Sequence, residues 1–140
     1  MLRRMNRKHT YEDFRMQLQY LRMRDPLFSV STDIIVGFPG ETEEEFEATA
    51  QAMRECQFDF AYIARYSPRP NTVANTLEDD ISPLEKARRW TVLNDILRVS
   101  VRSRSELMIG KKESILVVGN DGHGNVYGRT RNFKEVYVSE

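Results

Sequence analysis

Apolar residues recur along this chain at helical, then strand, spacing, and the switches between the two periods predict its elements. Tyr11, Phe14, Leu18 and Leu21 lie three or four residues apart behind Thr10, an N-cap with Asp13 in the first turn. Asp25-Pro26 ends that helix. Val30, Thr32, Ile34 and Val36 then alternate, and Ile35 adds an apolar neighbour, which predicts a strand buried on both faces. A second helix spans Glu43 to Glu55, with Phe46, Ala50 and Met53 inward and Cys56 near its end as a small buried hydrophobe. Phe58, Phe60 and Tyr62 alternate in a second strand reaching about Tyr66. A long helix runs from Ser82-Pro83-Leu84-Glu85, an N-cap with proline at N1 and glutamate at N3, toward Met108. Its expected stripe is Leu84, Ala87, Trp90, Leu93, Leu97 and Val101, with Trp90 packed.

After Gly110 the period becomes short and β-like. Ser114 to Val118, Val126 to Thr130 and Glu135 to Val138 read as strands, and Asn120 to Asn125 as a hairpin loop. A boundary near Ile109 therefore divides an α/β unit, residues 1–109, from a small β unit, residues 110–140. Two strands each tied to helices predict parallel pairing in the first unit.

The connections carry the candidate chemistry. Gly37-Phe38-Pro39-Gly40 follows the first strand directly, and Thr42 with Glu45 forms a capping box behind it. Tyr66-Ser67-Pro68-Arg69-Pro70-Asn71-Thr72 follows the second strand as a stiff loop, with Asn71 able to take left-handed angles. Both follow C-terminal ends of parallel strands, so they should share one rim, where Arg69 can meet an anion or carboxylate. An ordinary βα turn and a solvent-facing arginine explain the same residues.

Composition narrows the class. The 140 residues are 40% hydrophobic and 30% charged with zero formal net charge, values of a globular chain. With no apolar run of spanning length and no signal-like h-region after Met1, the expectation is a cytoplasmic protein with no membrane partner. One cysteine, Cys56, excludes an internal disulfide and a cysteine-ligated metal site built by this chain alone. Neither His9 nor His123 has a partner motif, so no catalytic or metal residue is assigned. Charge is segregated: Arg3, Arg4, Arg7 and Lys8 open the chain, Glu41 to Asp59 is acidic, and Arg98, Arg102 and Arg104 make the late long helix basic, as an RNA-facing or simply solvated face.

Several stretches resemble the radical S-adenosylmethionine methylthiotransferases, closest to the tRNA-modifying branch that acts on an adenosine beside the anticodon. They are Met5-Asn6-Arg7-Lys8-His9-Thr10, Thr32 to Thr42, Tyr66 to Pro70, and Tyr127-Gly128-Arg129-Thr130-Arg131. The resemblance implies an α/β fold: the C-terminal part of a partial (β/α) radical SAM barrel over residues 1–109, then an incomplete small β-barrel of the TRAM type. It implies S-adenosylmethionine as cofactor, with Ile35, Gly37 and Gly40 along the adenosyl moiety and Asp33, Glu41, Tyr66 and Arg69 shaping the rim. It also implies tRNA as partner, with Arg129 and Arg131 as phosphate contacts; Arg98 and Arg102, read from the charge of the helix, are the further RNA-binding candidates. Relatives hold two [4Fe–4S] clusters, one through CxxxCxxC and one through three cysteines of an N-terminal domain. Those cysteines are absent here, which implies a cluster-binding portion as partner and a chain inactive alone. Asn71 stands where relatives commonly have glycine. Action on a ribosomal protein, a non-catalytic RNA-binding remnant and a poorly folding remnant are the alternatives.

Overall fold

A computed structural model describes residues 1–138. Its elements are α1 (Tyr11–Arg24), β1 (Ser31–Val36), α2 (Glu43–Cys56), β2 (Phe60–Arg65), a 3-10 turn (Val73–Thr76), α3 (Pro83–Glu106), β3 (Ile115–Asn120), β4 (Val126–Thr130) and β5 (Glu135–Val138). The fold is mixed α/β with two small open sheets. β1 and β2 pair in parallel, Ser31 opposite Phe60 through Val36 opposite Arg65. β3, β4 and β5 form an antiparallel sheet in that order, with an irregularity between Val117 and Gly119. Among the described residues no helix is long and apolar enough to cross a membrane.

Helix starts follow the chemistry expected of them. Thr10 and Asp13 complete one capping box, and Thr42 and Glu45 another. Ser82 Oγ accepts from Glu85 N at 3.2 Å, but the Glu85 carboxylate turns to Arg88 and Arg89 and leaves that box half made. The core is one cluster: Val36, Ala61 and Ile63 from the strands, Phe46, Ala50, Met53 and Cys56 from α2, Leu93 from α3, with Leu18 and Phe58. Burial pushes the Cys56 thiol up, consistent with a packed and unreactive side chain.

Three expectations are corrected. β1 is not buried on both faces: Thr32, Ile34 and Val36 turn to the core, while Ser31, Asp33 and Ile35 are exposed. Helices cover one side of the parallel sheet only, so its period is that of a half-buried strand. The aromatic alternation of the second strand is likewise misread. Phe58 precedes β2 and is buried, the chain changes parity at Asp59, and Phe60 and Tyr62 stand 61% and 64% exposed on the uncovered face. On α3, Leu84 and Trp90 are exposed, and the inward positions include Lys86, Arg89, Leu93, Ser100 and Arg104. Trp90 instead lies against β2, its Nε1 donating to the Ile63 carbonyl at 2.8 Å.

This reassignment of α3 is measurable. Leu93→Ala removes a fully buried side chain and should cost about 2–5 kcal/mol, whereas Leu84→Ala should stay within about 0.5 kcal/mol. Urea unfolding followed by the fluorescence of Trp90, the one tryptophan, distinguishes the two.

Candidate functional site

The two expected loops meet. Tyr66 N donates to the Val36 carbonyl at 2.8 Å, and the Phe38 and Tyr66 rings pack edge to face at 5.2 Å. Gly37 and Gly40 take φ of +69° and +72°, left-handed angles that favour glycine. Asn71 also adopts a left-handed angle, φ +64°, as its side chain permits. A Cβ at Gly37 would overlap Lys86 Cγ, so the turn needs glycine for space as well as for angle.

Side chains from α3 fix this rim from beneath. Glu41 is 3% exposed, and its Oε2 accepts from Gly37 N at 2.7 Å and from Arg89 at 2.7 Å. Arg89 also donates to the Glu41 carbonyl at 3.0 Å and to Glu85 at 2.7 Å. Burial works to lower the Arg89 pKa, but the hydrogen bonds it donates to Glu85 and Glu41 leave it raised, so the guanidinium stays charged. Lys86 crosses below Gly37 to reach Asp79 at 2.6 and 2.7 Å and the Tyr66 carbonyl at 3.4 Å. Asp80 accepts from Gly40 N at 2.8 Å, and Arg4 donates to the Gly40 carbonyl at 2.7 Å.

The residues named from the sequence therefore divide. Asp33 and Ile35 project onto the open sheet face immediately below the rim, with Tyr62 paired opposite Asp33. Gly37 and Gly40 form the turn, with both amides engaged by carboxylates. Glu41 points inward, where it holds the turn. Tyr66 is buried, its hydroxyl donating to the Ala74 carbonyl at 2.8 Å, so its role is to anchor the second loop. Arg69 is exposed on that loop.

The RNA candidates lie elsewhere. Arg98 and Arg102 project from the outer side of α3, paired with Asp95 and Glu106 at 3.0 Å each. Nine residues, about 14 Å of helix, separate Arg98 from Arg89. Arg104 is no part of that basic face: it is buried, donating to the Pro26 and Phe28 carbonyls at 2.9 and 3.0 Å. Arg129 and Arg131 are exposed, and Arg129 shares a sheet face with Tyr127, whose ring stacks on Tyr137 at 5.8 Å.

Sequence reading missed Lys86, Arg89 and the Asp79-Asp80 strap. The available signal was spacing: Glu85, Lys86 and Arg89 recur at i, i+1 and i+4 beside an apolar stripe, which places one arginine on its edge. It also missed Phe60 and Tyr62 as surface residues, although Ala61 and Ile63, the residues that alternate with them, supply the inward set. Among the described residues, no group of three or more His, Cys, Asp or Glu is placed to hold a metal ion.

No protein-family model matches the chain. It is similar to proteins described as tRNA-2-methylthio-N(6)-dimethylallyladenosine synthase. The Endomicrobium trichonymphae protein is 41% identical over 138 residues, covering 98% of this chain and 32% of that protein. The Dictyoglomus thermophilum protein is 40% identical over 139 residues, covering 97% and 31%. That of Anaplasma marginale (strain St. Maries) is 37% identical over 142 residues, covering 99% and 31%. The chain thus spans about a third of the length of the curated relatives it matches.

Two outcomes follow from the rim. Arg89→Met strands the buried Glu41 carboxylate and should cost about 3–5 kcal/mol. Glu41→Gln keeps an acceptor for Gly37 and should cost less, as measured by urea unfolding. The second outcome concerns pH. The Arg88 guanidinium, followed by Arg89 and opposed by burial, holds Glu85 down at about 2 from 4.5. Its contribution is then complete above the unfolded value and lost as pH falls through the folded one. Stability should therefore drop between about pH 4.5 and about pH 2, and Glu85→Gln should flatten that part of the profile.

Proposed function

We propose a function from the tRNA methylthiotransferase family, which this chain matches along nearly its whole length. In this reading the chain is the portion of such an enzyme that contacts the adenosyl cofactor and tRNA. Residues 1–109 form the last part of an open (β/α) barrel, and residues 110–140 the beginning of a small TRAM-like sheet unit. A protein of this composition carries out no methylthiolation alone, because the clusters need cysteines that another portion must supply.

The observation that carries the reading is the open sheet face that ends at the rim. Asp33, Ile35 and Tyr62 share it, and Ile35 is 42% exposed beneath a turn whose shape is set from below. An apolar side chain, an aromatic ring and a carboxylate together suit an adenosyl group, which has a flat apolar base and a ribose that donates hydrogen bonds. That donor set fits S-adenosylmethionine and offers nothing to an iron–sulfur cluster, which thiolates hold. S-adenosylmethionine, when bound beside a reduced cluster, supplies the radical chemistry of this class. Ile35 and Tyr62 would cover the base, Asp33 would accept from the ribose, and Gly37 to Gly40 would limit how far the nucleoside slides along the strands. The rim keeps its shape without ligand because Glu41, Asp80 and Lys86 already satisfy its polar groups.

Arg129 and Arg131 give the tail the charge to meet phosphates, beside the stacked Tyr127 and Tyr137 rings. Arg98 and Arg102 each have a carboxylate partner, and exposed pairs of this kind exchange readily for phosphate.

The test is complementation in cells lacking their own tRNA methylthiotransferase. Co-expression of this chain with the cluster-bearing portion of a relative should restore methylthio-adenosine in tRNA, read by mass spectrometry of nucleosides. Either half alone should give none. Ile35→Glu, at an exposed position, should leave stability within about 0.5 kcal/mol and lower the restored modification at least tenfold. Full modification by the Ile35→Glu pair would remove the open face from the reaction. No modification by the wild-type pair, with both halves folded, would reject the assignment.

A further inference from the structure

We infer that Lys134 is a positioning residue that clamps the arginine-bearing sheet to the base of the parallel sheet, at the end opposite the rim. The clamp centres on Asp59, the residue just before β2, whose side chain is 6% exposed. Lys134 Nζ stands 3.1 Å from Asp59 Oδ1, and the lysine side chain is itself 18% exposed. Asp59 is not a chance partner. Its Oδ2 accepts from Val30 N at 3.1 Å, its own amide donates to the Val30 carbonyl at 3.0 Å, and Arg22 and Arg104 approach it at 3.6 and 3.5 Å. The carboxylate therefore ties together the N-terminal ends of β1 and β2, the end of α1, the end of α3, and the β4–β5 turn.

Lys134 is equally well fixed from its own side. Its amide donates to Thr130 Oγ1 at 3.1 Å, its carbonyl accepts from Thr130 N at 2.9 Å, and Phe133 N closes the turn on the Thr130 carbonyl at 3.0 Å. Thr130 is 5% exposed and lies between Arg129 and Arg131. Holding Lys134 thus holds both arginines relative to the α/β unit. Breaking a buried pair by removing one partner is costly, whereas an exposed pair would orient little.

The placement sets a distance. A six-residue strand is about 20 Å long, and the 18 residues of α3 from Lys86, under the rim, to Arg104, beside Asp59, span about 27 Å. Rim and clamp lie at opposite ends of both rulers. On the proposed tRNA reading, on which this consequence rests, the tail engages phosphates about 20 Å or more from the nucleotide at the rim. The tail then holds the body of a folded RNA and leaves the target base to the rim.

The clamp is tested on the full chain by residual dipolar couplings, which report whether the two sheets tumble as one body. Wild type should give one alignment tensor for amides of β1–β2 and of β3–β5. Lys134→Gln should give two, and Lys134→Arg should restore one. Amide protection at Tyr62 and Gly128 in each variant shows that both sheets remain folded. A single tensor in Lys134→Gln overturns the clamp. Should Lys134→Gln not fold, the wild-type Lys134 ammonium decides: a slowly exchanging nitrogen signal supports the clamp, and solvent-like exchange overturns it. Binding of a tRNA hairpin is measured alongside. Two tensors in Lys134→Gln without RNA binding by any variant support the clamp and remove the RNA reading, while one tensor with normal binding does the reverse.

Discussion

The buried pair of Arg89 and Glu41 is the constraint on which the α/β unit turns. One carboxylate satisfies the Gly37 amide, and one guanidinium bridges that carboxylate, the Glu41 carbonyl and Glu85. Two charges withdrawn from water give little net stability compared with an apolar pair. What they give is a single geometry, because the carboxylate must be met by both partners or carry an unsatisfied charge. The glycine turn, the start of α2 and the first turns of α3 are thereby set by one arrangement.

The same logic appears at the opposite end of the sheet, where Asp59 gathers Arg22, Arg104 and Lys134. Between these polar ends the core is ordinary: Val36, Phe46, Met53 and Leu93 exclude solvent nearly completely. Apolar burial supplies the drive to fold. The two ionic clusters decide how strands end and what is mounted on them. A face left uncovered between them carries Asp33, Ile35, Phe60 and Tyr62.

Much of the element order was legible because it rests on local signals. Capping residues, the Gly-Pro-Gly turn and the period change after Gly110 each act within a few residues, and the helices, strands and shared rim follow from them. The left-handed Asn71 was likewise foreseeable from its side chain. What escaped depends on partners remote in sequence. Whether Phe60 faces core or solvent turns on a parity change at Asp59, which is set by its bonds to Val30. Whether Arg104 is surface or interior turns on carbonyls 76 and 78 residues away. Leu84 and Trp90 fit the helical stripe by spacing, but the strands present too narrow a surface to cover them. Of the candidate site, the turn glycines and the open-face Asp33 and Ile35 could be named from the sequence; the lysine and arginine beneath them could not.

The indole of Trp90 occupies the Ile63 carbonyl on the flank of β2 that lies away from β1. Among the described residues no strand flanks β1 on its far side, and no side chain caps its backbone there. The two margins of the sheet consequently differ: an indole takes a carbonyl on one, while the other keeps its backbone groups open.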